Sequence, residues 1–158
     1  MNASEIKKYF TVTEANAMLP LVRAIVDDIV RLAADVHERQ ERLNKVRRRH
    51  GNRGQSEDDV YSEELEQSEQ DLDKDKERLV TFVDELEGLG VQLKDPLMGL
   101  VDFPTRIEGR DALLCWKHGE GDIAFWHELN AGFQGRQSLL AGSAPPPAVN
   151  IDKEEGDV

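Results

Sequence analysis

Leu65, Leu72, Leu79 and Leu86 stand seven residues apart, and a repeat of that period runs one apolar edge along a helix. An earlier stretch carries a matching edge. Val22, Ile25, Ile29, Leu32, Val36, Leu43 and Val46 follow alternating steps of three and four, with Arg39 as the one polar interruption. That is a seam over more than three heptads. On the second stretch the intermediate positions Ser68 and Asp75 are polar, and Phe82 and Val83 thicken the seam near its end. A parallel self-associating zipper needs apolar residues at both sets of positions, so the spacing predicts an antiparallel hairpin instead. Its polar half, around Asp75, then faces the Arg39 end of the first helix, and Leu79 to Leu86 meet Val22 to Ile29. Each arm is expected to run about 45–55 Å.

Local signals set the ends of these helices. Thr11 is placed to cap the first turn while Glu14 reaches back to its amide, and Phe10 stands at the hydrophobic-staple position. Pro20 falls inside the pattern and is expected to bend the helix. The run Arg47-Arg48-Arg49-His50-Gly51-Asn52-Arg53-Gly54 closes it. The second helix is expected to start near Ser56 or Glu57 and to stop at Gly88-Leu89-Gly90.

Charge is divided the same way. Residues 1–55 hold 11 basic and 7 acidic side chains, residues 56–95 hold 4 and 15, and residues 96–158 hold 5 and 10, giving segment charges of +4, −11 and −5. Opposite charge on consecutive helices favours their pairing and selects its orientation.

After Gly90 the period shortens. Val91, Leu93, Leu100, Val101 and Phe103 read as extended, Ile107-Glu108-Gly109-Arg110 as a hairpin turn between Val101–Ile107 and Ala112–Trp116, and Ile123–His127 as a further strand. Such a small antiparallel meander needs a cover, which the apolar base of the hairpin supplies. The fold class expected is therefore α+β, with a helical hairpin over 1–90, a β region over 91–140 and a disordered acidic tail over 141–158, where Pro145-Pro146-Pro147 precedes Asp152-Lys153-Glu154-Glu155.

Composition narrows the function classes. A formal charge of −12 over 158 residues argues against general affinity for nucleic acid or anionic lipid. No apolar run has the length of a membrane span and the N-terminus has no signal core, so a cytoplasmic protein is expected. Cys115 is the single cysteine, which excludes an internal disulfide or a cysteine-rich zinc centre within one chain.

Candidate ligand-binding residues concentrate in the last third: Asp102, Arg106, Arg110, Glu120, Trp126, His127 and Arg136. In paired antiparallel strands Cys115 and His127 could share a face, with Asp102 or Glu120 as a third donor, a mixture suited to a divalent metal such as zinc or iron. The other reading of the pair is an inert core thiol beside a hydrogen-bonded histidine. Gly132-Phe133-Gln134-Gly135-Arg136, with Arg106 and Arg110 in the neighbouring hairpin, suggests a pocket for a small anion. Arg47, Arg48, Arg49 and Arg53 form a local basic cluster, the only place where weak nucleic-acid contact is expected, although no aromatic residues interleave for base stacking.

Several ordered segments are also shared with known sequences: Tyr9-Phe10-Thr11 with Leu19-Pro20, Gly99-Leu100-Val101-Asp102-Phe103-Pro104, Leu114-Cys115-Trp116-Lys117 with Gly119-Glu120, and Trp126-His127 with Gly132-Phe133 and Gly135-Arg136. Over roughly residues 9–138 the chain resembles a family of small, uncharacterised bacterial proteins classed as a domain of unknown function. The resemblance implies a long helical hairpin with a small β region and brings no activity. Two functional classes follow from the residues themselves. One is a non-enzymatic binding or scaffolding protein, with a protein partner or a second copy on its charged arm. The other is a metal- or anion-binding enzyme or sensor centred on the β region.

Overall fold

A computed structural model describes residues 8–51 and 59–139. Arg53, the expected start of the second helix at Ser56 or Glu57, and the tail over 141–158 lie outside the described residues. Helix α1 spans Val12–Gly51 and α2 spans Asp59–Gly88. The strands are β1 (Gln92–Asp95), β2 (Leu100–Ile107), β3 (Arg110–Lys117), β4 (Phe125–Glu128) and β5 (Gln137–Ser138), joined in that order in one antiparallel sheet. The architecture is α+β.

α1 begins as its sequence directs. The Thr11 hydroxyl accepts from the Glu14 amide and the Glu14 carboxylate accepts from the Thr11 amide, each at 3.0 Å. This is a reciprocal capping box. Phe10 packs edge-on against Phe103 with ring centres 5.3 Å apart. Its amide donates to the Pro104 carbonyl at 2.7 Å and its carbonyl accepts from the Thr105 hydroxyl at 2.6 Å. The residue before the N-cap therefore fastens α1 to β2. The helix continues through Pro20 without a break.

The two helices pair in antiparallel register. Leu86, Leu79, Phe82 and Val83 of α2 share the main core with Val22, Ile25, Val26 and Ile29 of α1, and that core extends over Val101, Phe103, Leu114, Trp116 and Trp126 of the sheet. Farther out, Val36, Leu43 and Leu72 form a second, smaller core, with Leu32 and Leu65 packed on it. Polar pairs cross between the arms along this stretch: Arg39 with Asp75 at 2.6 Å, Lys76 with Gln40 at 2.8 Å, and Arg47 with Glu69. The charge division of the sequence thus appears as interhelical pairing, a matter of register more than of stability at these partly exposed positions.

The β2–β3 turn is set by backbone conformation. Glu108 and Gly109 both have positive φ, 54° and 80°, as the tightest two-residue hairpin turns require. Residues directly opposite in the ladder share a face. Val101 opposite Trp116, Phe103 opposite Leu114, and Leu114 opposite Trp126 therefore form the helix-facing layer. The other face carries Asp102 opposite Cys115, Cys115 opposite Phe125, and Leu113 opposite His127.

Candidate functional site

Three central strands each place one polar side chain on the face away from the helices. Asp102 comes from β2, Cys115 from β3 and His127 from β4. All three are at most 2% exposed, and one donor atom from each lies within 4.8 Å of the other two. The shared face that period-two alternation allowed for Cys115 and His127 is realised, because Cys115 pairs with Phe125 and His127 follows two residues later.

The orientation of the His127 ring follows from its partners. Nδ1–H donates to the Glu128 carbonyl at 2.7 Å, since a carbonyl only accepts. Nε2 faces the Asp102 carboxylate at 3.1 and 3.2 Å. A neutral ring has a single N–H, so without a metal both contacts are satisfied by the imidazolium form. Burial is the strongest single influence and opposes that charge. The hydrogen bonds to Asp102 and Cys115, the charge of Asp102 and the Glu128 carbonyl together outweigh it, and the His127 pKa is pushed up to about 10.

This wiring is not that of an activated thiol. A cysteine–histidine–carboxylate relay uses one ring nitrogen on the sulfur and the other on the carboxylate. Here Nδ1 is engaged by the main chain and Nε2 by the acid.

Arg136 closes over the sulfur. Its guanidinium stacks on Phe125 at 3.8 Å and on Phe133 at 4.6 Å from the ring centres. One of its nitrogens lies 3.9 Å from Cys115 Sγ and another pairs with the Glu120 carboxylate. Glu120 also accepts from the Lys117 amide at 3.0 Å. Glu120 is thus held on the arginine, and Asp102 is the acid that completes the group with Cys115 and His127.

The remaining candidates are placed elsewhere. Trp126 is adjacent to His127 in sequence but points into the main core on the helix side, the consequence of strand alternation. Arg106, exposed near the β2–β3 turn, pairs with Asp111 at 3.1 Å and lies over the Tyr9 ring at 4.7 Å. Arg110 is exposed at that same turn. The three arginines expected around an anion are therefore committed separately: Arg106 and Arg110 at the turn, Arg136 at the sulfur.

Two further features had no strong sequence signal. On the arm, a cleft of about 400 Å³ between α1 and α2 is lined by Leu43, Val46, Leu65 and Leu72, with Arg42, Glu64, Ser68 and Asp71 among its polar residues. At the base, a shallow groove runs beside Arg23, Asp27, His118 and Glu120, with His118 3.1 Å from Asp27. The short, polar side chain at Ser68 within the leucine spacing is the one signal by which the first could be found.

A family described as an uncharacterized conserved protein (DUF2203) matches residues 8–139. The chain belongs to this family. The match spans both helices and all five strands. No curated protein and no solved structure matches the chain significantly. No helix among the described residues is long and apolar enough to cross a membrane.

Proposed function

We propose that this family member is a non-enzymatic binding protein whose sheet-backed base holds the helical hairpin rigidly and whose arm takes a protein partner. The observation that carries this reading is the cleft between α1 and α2, floored by the buried Leu43 and Leu72, apolar at the half-buried Val46 and Leu65 and charged at its edges. A groove of this kind accepts the apolar face of an amphipathic helix. Over α2, 12 acidic side chains stand against 3 basic ones, which selects a basic partner segment and speeds its approach.

The β region supports the same reading from the other side. The group most suggestive of catalysis is at most 2% exposed, and its histidine is wired to the main chain rather than between thiol and acid. Arg136 and Arg106 already hold Glu120 and Asp111, which weighs against a free arginine pocket for a small anion.

A photo-crosslinking residue placed at the exposed Ser68 position tests the proposal. A specific adduct is expected in cells, lost when Glu64 and Asp71 are replaced by lysine. Light scattering of the purified chain separates a second copy from a foreign partner as the adduct. A chain that crosslinks to nothing, or identically after both charge reversals, would overturn the arm reading.

A further inference from the structure

We infer that Asp102, Cys115 and His127 form a binding site for one divalent transition-metal ion of the zinc class. This goes beyond the arm reading and stands on different residues.

The donors come from β2, β3 and β4 within one continuous ladder, so backbone hydrogen bonds fix their relative positions before any ion arrives. Sγ, an Asp102 oxygen and a His127 nitrogen lie within 4.8 Å of one another. Ligands bonded to one tetrahedral ion at about 2.0–2.3 Å are separated by somewhat less than that, which small side-chain movements supply. A thiolate, an imidazole and a carboxylate together suit zinc, and also cobalt(II) or iron(II). Magnesium and calcium prefer oxygen donors alone.

The surroundings fit a metal ligand set as well. Metal-binding histidines regularly donate their second ring N–H to a carbonyl or carboxylate, which fixes the tautomer and aims the other nitrogen at the ion. His127 does so through Glu128. Its Nε2 and the Asp102 oxygens are then left facing each other, two electron-pair donors that are compatible only with a positive centre between them. In the metal-free protein that centre is a proton. On binding, the ion takes the Nε2 lone pair, the Asp102 carboxylate and the Cys115 thiolate, and the protons of Nε2 and of the thiol leave to solvent.

Charge balances at the end of that exchange. A divalent cation with one thiolate and one carboxylate is neutral, which suits a site withdrawn from water. Arg136 beside the sulfur is itself balanced by Glu120.

The test uses the full chain, stripped with a chelator and titrated with cobalt(II). About one equivalent is expected to bind, with a near-ultraviolet thiolate-to-cobalt absorption that zinc then displaces. The folded Cys115→Ser variant should lose that absorption, and His127→Gln should weaken zinc binding at least about tenfold. Where a variant does not fold, the wild-type spectrum decides alone, because only Cys115 can produce the absorption. Binding without a thiolate signal reports histidines outside the site, such as the exposed His37, and would overturn the site. So would a folded, stripped wild type that takes up no ion, or equal affinity in a folded His127→Gln chain.

Discussion

Arg39 on α1 reaches Asp75 on α2 at 2.6 Å, joining the one polar residue in the apolar seam of the first helix to a polar position in the leucine spacing of the second. Arg78 also approaches Asp75, at 3.2 Å, and Asp35 approaches Arg39 at 2.8 Å. The hydrogen bond from Arg39, then that from Arg78, holds the Asp75 carboxyl below its usual range.

A polar contact inside an apolar seam fixes register more than it adds stability. Arg39→Leu or Asp75→Leu alone should each lower the melting temperature by a few degrees, because each leaves a charge facing the seam. The double leucine variant should recover that loss and pair less uniquely. Calorimetry combined with cysteine crosslinking between the arms, at matched and one-turn-slipped positions, measures both effects. Slipped crosslinks no more frequent than in wild type would show that register is set elsewhere.

The raised pKa of His127 has a direct consequence for stability against pH in the metal-free protein. The folded value is about 10 against an ordinary 6.5, so the folded state binds the proton more tightly than the unfolded chain. The contribution is complete below pH 6.5, shrinks as pH rises, and is gone once pH passes about 10. It should amount to a few kcal/mol at its fullest, on the order of 1.4 kcal/mol per pH unit in between. Urea melts of the chelator-stripped protein between neutral and alkaline pH should show this slope, and His127→Gln should flatten it.

Gly99 is a point where helix and sheet approach too closely for any side chain. Its φ is +68°, and an added Cβ would lie 2.5 Å from the His118 Cβ and 2.8 Å from a Val30 methyl. Gly99→Ala should destabilise the protein by about 2–4 kcal/mol through combined backbone strain and overpacking. Chemical denaturation measures it. Gly109→Ala has open space around it and should cost about 1–2 kcal/mol, from its positive φ alone.

What was legible in the sequence follows from which signals are local. The capping box at Thr11 and Glu14, the Glu108-Gly109 turn and the antiparallel pairing of the leucine edge with α1 all depend on residues close in sequence or on a long, redundant period. Val26 shows where that reasoning stops. It is fully buried yet lies off the single seam read from the heptads, because the base of α1 is covered on two sides, by α2 and by the sheet. β5 consists of Gln137 and Ser138 paired with Trp126 and Phe125, and two polar residues carry no periodicity to read. The site was half legible for a similar reason. Alternation put Cys115 and His127 on faces that could coincide, but only the register, with Cys115 opposite both Asp102 and Phe125, decides that they do. The Gly132–Arg136 segment read as an anion loop. Its arginine is instead occupied by two aromatic rings, an acid and a sulfur, and of these only Phe133 belongs to the segment itself, while Glu120 and Cys115 lie 16 and 21 residues back in sequence.

Arg136 is therefore the residue whose removal should be most informative about the closed face of the sheet. Its side chain is 11% exposed and covers Cys115, which is itself fully buried. Arg136→Ala removes the contacts to Phe125 and Phe133, frees Glu120 and opens a path to the sulfur. Stability should fall by about 1–3 kcal/mol, from the lost stacking and the charge left on Glu120. Labelling of Cys115 by a small thiol reagent under native conditions should accelerate at least about tenfold, since a tenfold rate corresponds to only about 1.4 kcal/mol in the opening that exposes the thiol. Arg136→Lys keeps the charge but not the planar stack, and should fall between the two. If labelling is unchanged in Arg136→Ala while stability drops, the arginine braces the β4–β5 region without guarding the thiol, and access to Cys115 is controlled by opening of the strands themselves.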